Sequence, residues 1–166
     1  MYGKSTENAI AAMSRLAEVW DGGVTKLSAS DIAENRGLQK PFVSKILSVL
    51  AQAGLVSGTR GPGGGFKLAR DPSSITLMDV YSVFERENIS NVCPFGGGVC
   101  GVGDACVLHD KLVEMQERKI DFLKNTSFED FRVAYQDKGL RPAATLDGAP
   151  PPRQSFRARE THSSSE

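Results

Sequence analysis

The three cysteines of this 166-residue chain, Cys93, Cys100 and Cys106, fall within fourteen residues, and His109 follows after two more. Six residues separate the first pair and five the second, and Gly96, Gly97, Gly98, Gly101 and Gly103 fill much of the interval. Thiolate and imidazole are metal ligands, and a glycine-rich loop can wrap a small object and bring backbone donors to sulfur. Three thiolates plus one further ligand suit either an iron–sulfur cluster or a tetrahedral zinc ion. The spacing is not the tight Cys-x-x-Cys of zinc ribbons, and an open glycine loop leaves room for more than one ion. An odd number of cysteines confined to one stretch is a poor disulfide framework. Metal or redox chemistry in a reducing compartment is the expectation instead.

A second set of residues is cationic. The chain as a whole is neutral, with 20 Lys+Arg against 20 Asp+Glu. Residues 35–70, however, hold Arg36, Lys40, Lys45, Arg60, Lys67 and Arg70 and no acid, whereas residues 71–140 carry a net −5. Such asymmetry within a neutral chain points to a local anionic partner, although a solvated charged face would look the same. Within the basic stretch, Gln39, Lys40, Ser44 and Lys45 open an apolar-periodic segment. Those are the side-chain types that read base edges and phosphates from the first turns of a recognition helix. Arg60 precedes Gly61, Gly63 and Gly64, a turn without bulky side chains that lets backbone and arginine approach a groove or a phosphate. The same glycines do not make a nucleotide-binding loop, because no Lys-Ser/Thr follows and no helix begins there.

The elements that must position these residues read in order. Ala9, Ile10, Met13, Leu16, Ala17 and Trp20 lie at helical spacing and predict an amphipathic helix over residues 5–20. Residues 24–27 read as a short strand. Ser28-x-x-Asp31 caps a second helix that Gly37 stops, and Pro41 suits the first turn of a third, which runs to Gly54. Residues 55–59 and 66–68 read as strands around the tight loop 60–65. Thr76 opens a helix to Phe84, and residues 87–104 form a loop without periodicity. A long helix over 105–123 puts Cys106 and His109 at i and i+3 on one face. Ser127 caps a last helix to about Tyr135, and the Pro- and Ser-rich stretch beyond Gly139 has too little apolar content to pack. The fold expected is mainly α with a small β-hairpin: a winged helix-turn-helix with a long dimerisation helix. Its parts are a DNA-binding domain (1–86), a cysteine-rich cluster loop (87–104), a dimerisation helix with a short helix after it (105–138), and a disordered tail (139–166). Val113, Ile120 and Leu123 form an apolar stripe larger than so small a domain needs for its own core, which makes them the expected dimer contact.

Residues 9–123 resemble the Rrf family of winged-helix transcriptional regulators, and within it the iron–sulfur (IscR/NsrR-like) branch. The match rests on Gly54-Leu55-Val56, on Arg60-Gly61-Pro62-Gly63-Gly64-Gly65-Phe66, on Ser74-Ile75 and on the three-cysteine loop. The resemblance implies a homodimer crossed through the long helix, bound to a palindromic operator in double-stranded DNA. It implies one iron–sulfur cluster per protomer, 2Fe–2S or 4Fe–4S, held by Cys93, Cys100 and Cys106. The fourth ligand is His109, as in IscR-like members, or Glu7, which falls where NsrR-like members place an aspartate that reaches the partner's cluster.

Other classes fare worse. A zinc-binding winged-helix regulator would keep the DNA-reading elements and change only the metal. A redox enzyme or cluster carrier is disfavoured by the lack of a dinucleotide fingerprint, a second cluster motif or a base–nucleophile pair. No segment approaches the ~18 apolar residues of a spanning helix, and Glu7, Arg15 and Glu18 interrupt the N-terminal stretch, so a cytoplasmic chain is expected.

Overall fold

The computed structural model describes residues 3–85 and 106–138. Helices α1 (Lys4–Glu18), α2 (Ala29–Arg36) and α3 (Lys40–Gln52) precede a hairpin of β1 (Val56–Thr59) and β2 (Gly65–Leu68). A single 3-10 turn (Pro72–Ser74) leads into α4 (Leu77–Phe84), and α5 (His109–Asn125) and α6 (Phe128–Lys138) complete the described chain. This is a winged helix-turn-helix followed by a long helix, as the sequence pattern indicated.

Local chemistry sets the boundaries. Ser28 and Asp31 form a reciprocal capping box at α2, as do Thr76 and Asp79 at α4. Gly37 closes α2 in the left-handed conformation at φ 63°, and Pro41 occupies the first turn of α3, where an amide would have no partner. The hairpin is antiparallel, with Val56 opposite Leu68 and Thr59 opposite Gly65.

The core lies between α1, with Ala9, Met13 and Leu16 buried, and α2–α4, which supply Ile32, Leu47, Leu50 and Val80. Each such aliphatic side chain removed from water contributes about 1.5–3 kcal/mol. Leu123 and Phe128 are fully buried in the same cluster, so the end of α5 and the start of α6 belong to the protomer's own core. Leu77 N–H donates to Thr126 O, and Phe128 N–H to Ile75 O, each at 2.9 Å, which pins the α5–α6 corner to the start of α4.

Several boundaries differ from the sequence pattern, among them the end of α1 at Glu18. Only Leu27 of residues 24–27 pairs, bridging Phe66, because the Asp21 carboxylate takes the Val24 and Thr25 amides at 2.9 Å. The long helix begins at His109 and leaves Cys106 outside it. The last helix runs on to Lys138. The loop 87–104 and the tail 139–166 lie outside the described residues, within which no helix is long and apolar enough to cross a membrane.

Candidate nucleic-acid interface and metal ligands

The six bases of the cationic stretch divide into two groups. Arg36 is 1% exposed. Its guanidinium donates to Glu18 Oε1 at 2.5 Å, Ala11 O at 3.0 Å, Ser14 Oγ at 3.2 Å and Asn35 Oδ1 at 2.8 Å. It therefore bolts α2 to α1 and is unavailable to a partner. Lys67 donates to Gly23 O at 2.7 Å, and Arg70 to Ser74 O at 3.2 Å with Asp79 beside it at 3.5 Å. Lys40, Lys45 and Arg60 are exposed and make no hydrogen bond or ion pair with the other described residues. They stand on the first turns of α3 and at the tip of the hairpin.

Gln39 is the N-cap of α3, yet its side chain makes no capping bond, which leaves its amide at the helix mouth. Ser44 is half-buried one turn further on. At the wing, Gly64 N–H donates to Gly61 O at 2.9 Å, and a Cβ at Gly64 would lie 2.3 Å from Thr59 O. Only glycine fits so tight a turn. Gly61 and Gly63 flank it at the exposed tip, so backbone and Arg60 are what the wing can present.

Of the metal-ligand candidates, Cys93 and Cys100 lie outside the described residues. Cys106 is exposed and outside any disulfide. It precedes α5 by a turn whose His109 N–H donates to Cys106 O at 3.0 Å, so the two residues are neighbours across a turn and not on one helical face. Glu7 sits in the first turn of α1 with Lys4 Nζ 2.9 Å from its carboxylate. Among the described residues no three His, Cys, Asp or Glu side chains converge on a metal-sized site. Cys106 presents an exposed thiol, and thiolate is a ligand suited to a soft metal centre.

Two ties are absent from the sequence pattern. Glu85, at the end of α4, accepts from Gly3 N–H at 2.6 Å and from the Thr6 hydroxyl, and so caps α1 from 82 residues away. Those bonds hold its carboxyl below the usual glutamate range. No local signal announces that pairing. The Glu18–Arg36 pair had one, since Glu18 continues the packed side of α1 beyond Leu16 and Ala17.

The expected dimer stripe also divides. Val113 and Ile120 are each 41% exposed, whereas Leu123 is fully buried and contributes to the protomer's core. Phe122 and Met115, at 47% and 57%, are exposed beside them.

A helix-turn-helix and wing that carry unpaired cations on α3 and the hairpin tip define a DNA-binding transcriptional regulator. The family described as "Rrf2: Iron-dependent Transcriptional regulator" matches residues 2–133, and the chain belongs to it. It is 36% identical over 117 residues, 70% of each chain, to the HTH-type transcriptional regulator IscR of Klebsiella pneumoniae (strain 342). The match to that of Escherichia coli O1:K1 is 35% over the same length and shares. Among solved structures, T. potens IscR superposes with a TM-score of 0.62 at 24% identity, covering 86% of this chain and 93% of that one. CymR, the global cysteine regulator of B. subtilis, superposes with a TM-score of 0.62 at 23% identity, covering 80% and 95%. The relatives are transcriptional regulators and not enzymes.

Proposed function

We propose that the chain is a dimeric repressor whose affinity for a palindromic operator is governed by one iron–sulfur cluster per protomer, 2Fe–2S or 4Fe–4S. The reading of DNA rests on one observation above others: the cations of the basic stretch left without partners are those of α3 and the wing tip. In this reading Gln39, Lys40, Ser44 and Lys45 contact bases and phosphates in the major groove. Arg60, with the backbone of Gly61, Gly63 and Gly64, contacts the adjacent backbone or minor groove. Residues 1–86 are the DNA-binding domain, 87–104 the cluster loop and 105–138 the segment that holds the dimer.

Cys93, Cys100 and Cys106 hold the cluster, and Glu7 of the partner subunit completes it. A bound cluster supplies iron that exchanges electrons and reacts with small molecules, at a potential set by its ligands and exposure. Glu7 is favoured over His109 for two reasons. Cys106 and His109 do not share a helical face. Glu7 also rides on α1, the helix that Arg36 fastens to α2, so a ligand there is mechanically joined to the reading head. The exposed α5 side chains Val113 and Ile120 meet their copies in the partner.

Absorption of the anaerobically purified protein tests the metal. A brown protein with broad visible bands supports the cluster, and a colourless one with stoichiometric zinc overturns it. Each Cys→Ala change is expected to abolish the bands. Glu7→Ala should shift the spectrum and speed cluster loss, with His109→Ala nearly silent. The reverse pattern transfers the fourth position to His109.

A further inference from the structure

We propose that Lys67 is a positioning residue that fixes the attitude of the wing, and through it the reach of Arg60, rather than touching DNA itself. The inference rests on the assignment of Arg60 to DNA made above. A two-stranded hairpin is marginal on its own, and β1–β2 has only four paired positions. Val56 and Leu68 anchor its base in the core, and the tilt of its tip is set by whatever grips its outer edge. Two grips lie side by side on β2. Leu27 and Phe66 exchange backbone bonds of 2.9 and 2.7 Å, and the next residue, Lys67, sends its ammonium to Gly23 O at 2.7 Å. An ammonium donor makes that bond stronger than a neutral one.

The segment that receives Lys67 is itself braced. The Asp21 carboxylate takes Val24 N–H, Thr25 N–H and the Thr25 hydroxyl, at 2.9, 2.9 and 2.6 Å. Gly22 and Gly23 turn through left-handed φ values of 83° and 86°, which aims the Gly23 carbonyl at the hairpin. A Cβ at Gly23 would stand 3.3 Å from Lys67 Nζ and 3.4 Å from the Trp20 ring, so the pocket for the ammonium is closely fitted. Lys67 is half-buried, and its charge is directed inward, unlike that of Lys40, Lys45 or Arg60. Arg60 lies about 10 Å beyond the Lys67 position along the hairpin, so a tilt of ~10° would carry it about 2 Å. That is enough to break a hydrogen bond.

A double-mutant cycle on the full chain tests this, with a duplex that the wild-type protein selects from a random-sequence pool as the probe. Arg60→Ala and Lys67→Met are each expected to weaken binding about tenfold, and the double variant to be within about twofold of Arg60→Ala alone. Gly23→Ala keeps the lysine charge while crowding its pocket. It should weaken binding in the wild-type background and do nothing when Arg60 is already alanine. Because Lys67 lies outside the helical core, Lys67→Met should keep the wild-type thermal midpoint, whereas Gly23→Ala, which places a side chain at φ 86°, is expected to lower it modestly in both backgrounds. Additive losses, or a salt dependence that flattens on Lys67→Met in the Arg60→Ala background, would show Lys67 contacting DNA and overturn the inference while leaving the role of Arg60 intact. Silence of Arg60→Ala would remove the wing contact itself.

Discussion

Arg36 and Glu85 do their work through partners distant in sequence, 18 and 82 residues away. A guanidinium withdrawn from water needs acceptors on every side, and Arg36 finds them on three successive turns of α1 and in the adjacent Asn35. Arg36 adds to the charge of a stretch without acids, but its burial against Glu18 takes it out of any surface that a partner could touch. Arg36→Ala would leave the Glu18 carboxylate, at 1% exposure, with Arg15 as its remaining cation at 3.1 Å, so a loss of about 3 kcal/mol is expected in urea unfolding, well above that of Lys40→Ala. Glu85 supplies a pH signature. Its carboxyl is held down by the Thr6 hydroxyl first and the Gly3 amide second. A lowered folded-state pKa stabilises above the ordinary value of 4.5, and that contribution is lost as pH falls through the folded value. Thermal melts taken from about pH 6 downward should show a shallower acid limb for Glu85→Gln than for wild type. Equal limbs would deny Glu85 its role as a cap.

Elements were more legible than single residues, because caps and apolar spacing are local. Ser28-x-x-Asp31 announced α2 and Thr76 the start of α4, and both caps are closed in the fold, the second by Asp79. The failures have equally local causes. Val24 and Thr25 looked strand-like, but the neighbouring Asp21 claimed their amides. Val107 extended the apolar rhythm of α5 towards Ala105, yet it is 92% exposed, so its spacing reports no packing. The same ambiguity placed Leu123 on the dimer stripe. Its full burial makes a different prediction from that for Ile120. Leu123→Ala should cost about 2–5 kcal/mol of protomer stability. Ile120→Glu should leave the melting midpoint nearly unchanged while halving the mass seen in sedimentation equilibrium. If Ile120→Glu stays dimeric, the α5 face is not the interface.

For the whole molecule, net charge concealed what segment charge revealed: a neutral chain carries a basic reading surface. Of the six bases in that stretch, Lys40, Lys45 and Arg60, the three assigned to DNA from the sequence, are exposed and without partners among the described residues, and salt titration can count them. A dimer using Lys40, Lys45 and Arg60 from each protomer neutralises about six phosphates, which gives a slope of log K against log salt near −5. All six bases in play would give about −11. The candidate metal site was legible as a cluster of ligand types, but its convergence depends on a loop whose path spacing alone does not fix. The corner between α5 and α6 carries a mechanical consequence. The bonds of Thr126 and Phe128 to the start of α4 make a fulcrum at the far end of a helix 17 residues long, about 26 Å. For a rigid rod turning there, travel is proportional to distance from the fulcrum. A 2 Å swing at His109 would arrive at Ile120 as about 0.7 Å. Such an arm would be geared down, surrendering stroke and multiplying force between its His109 end and Ile120.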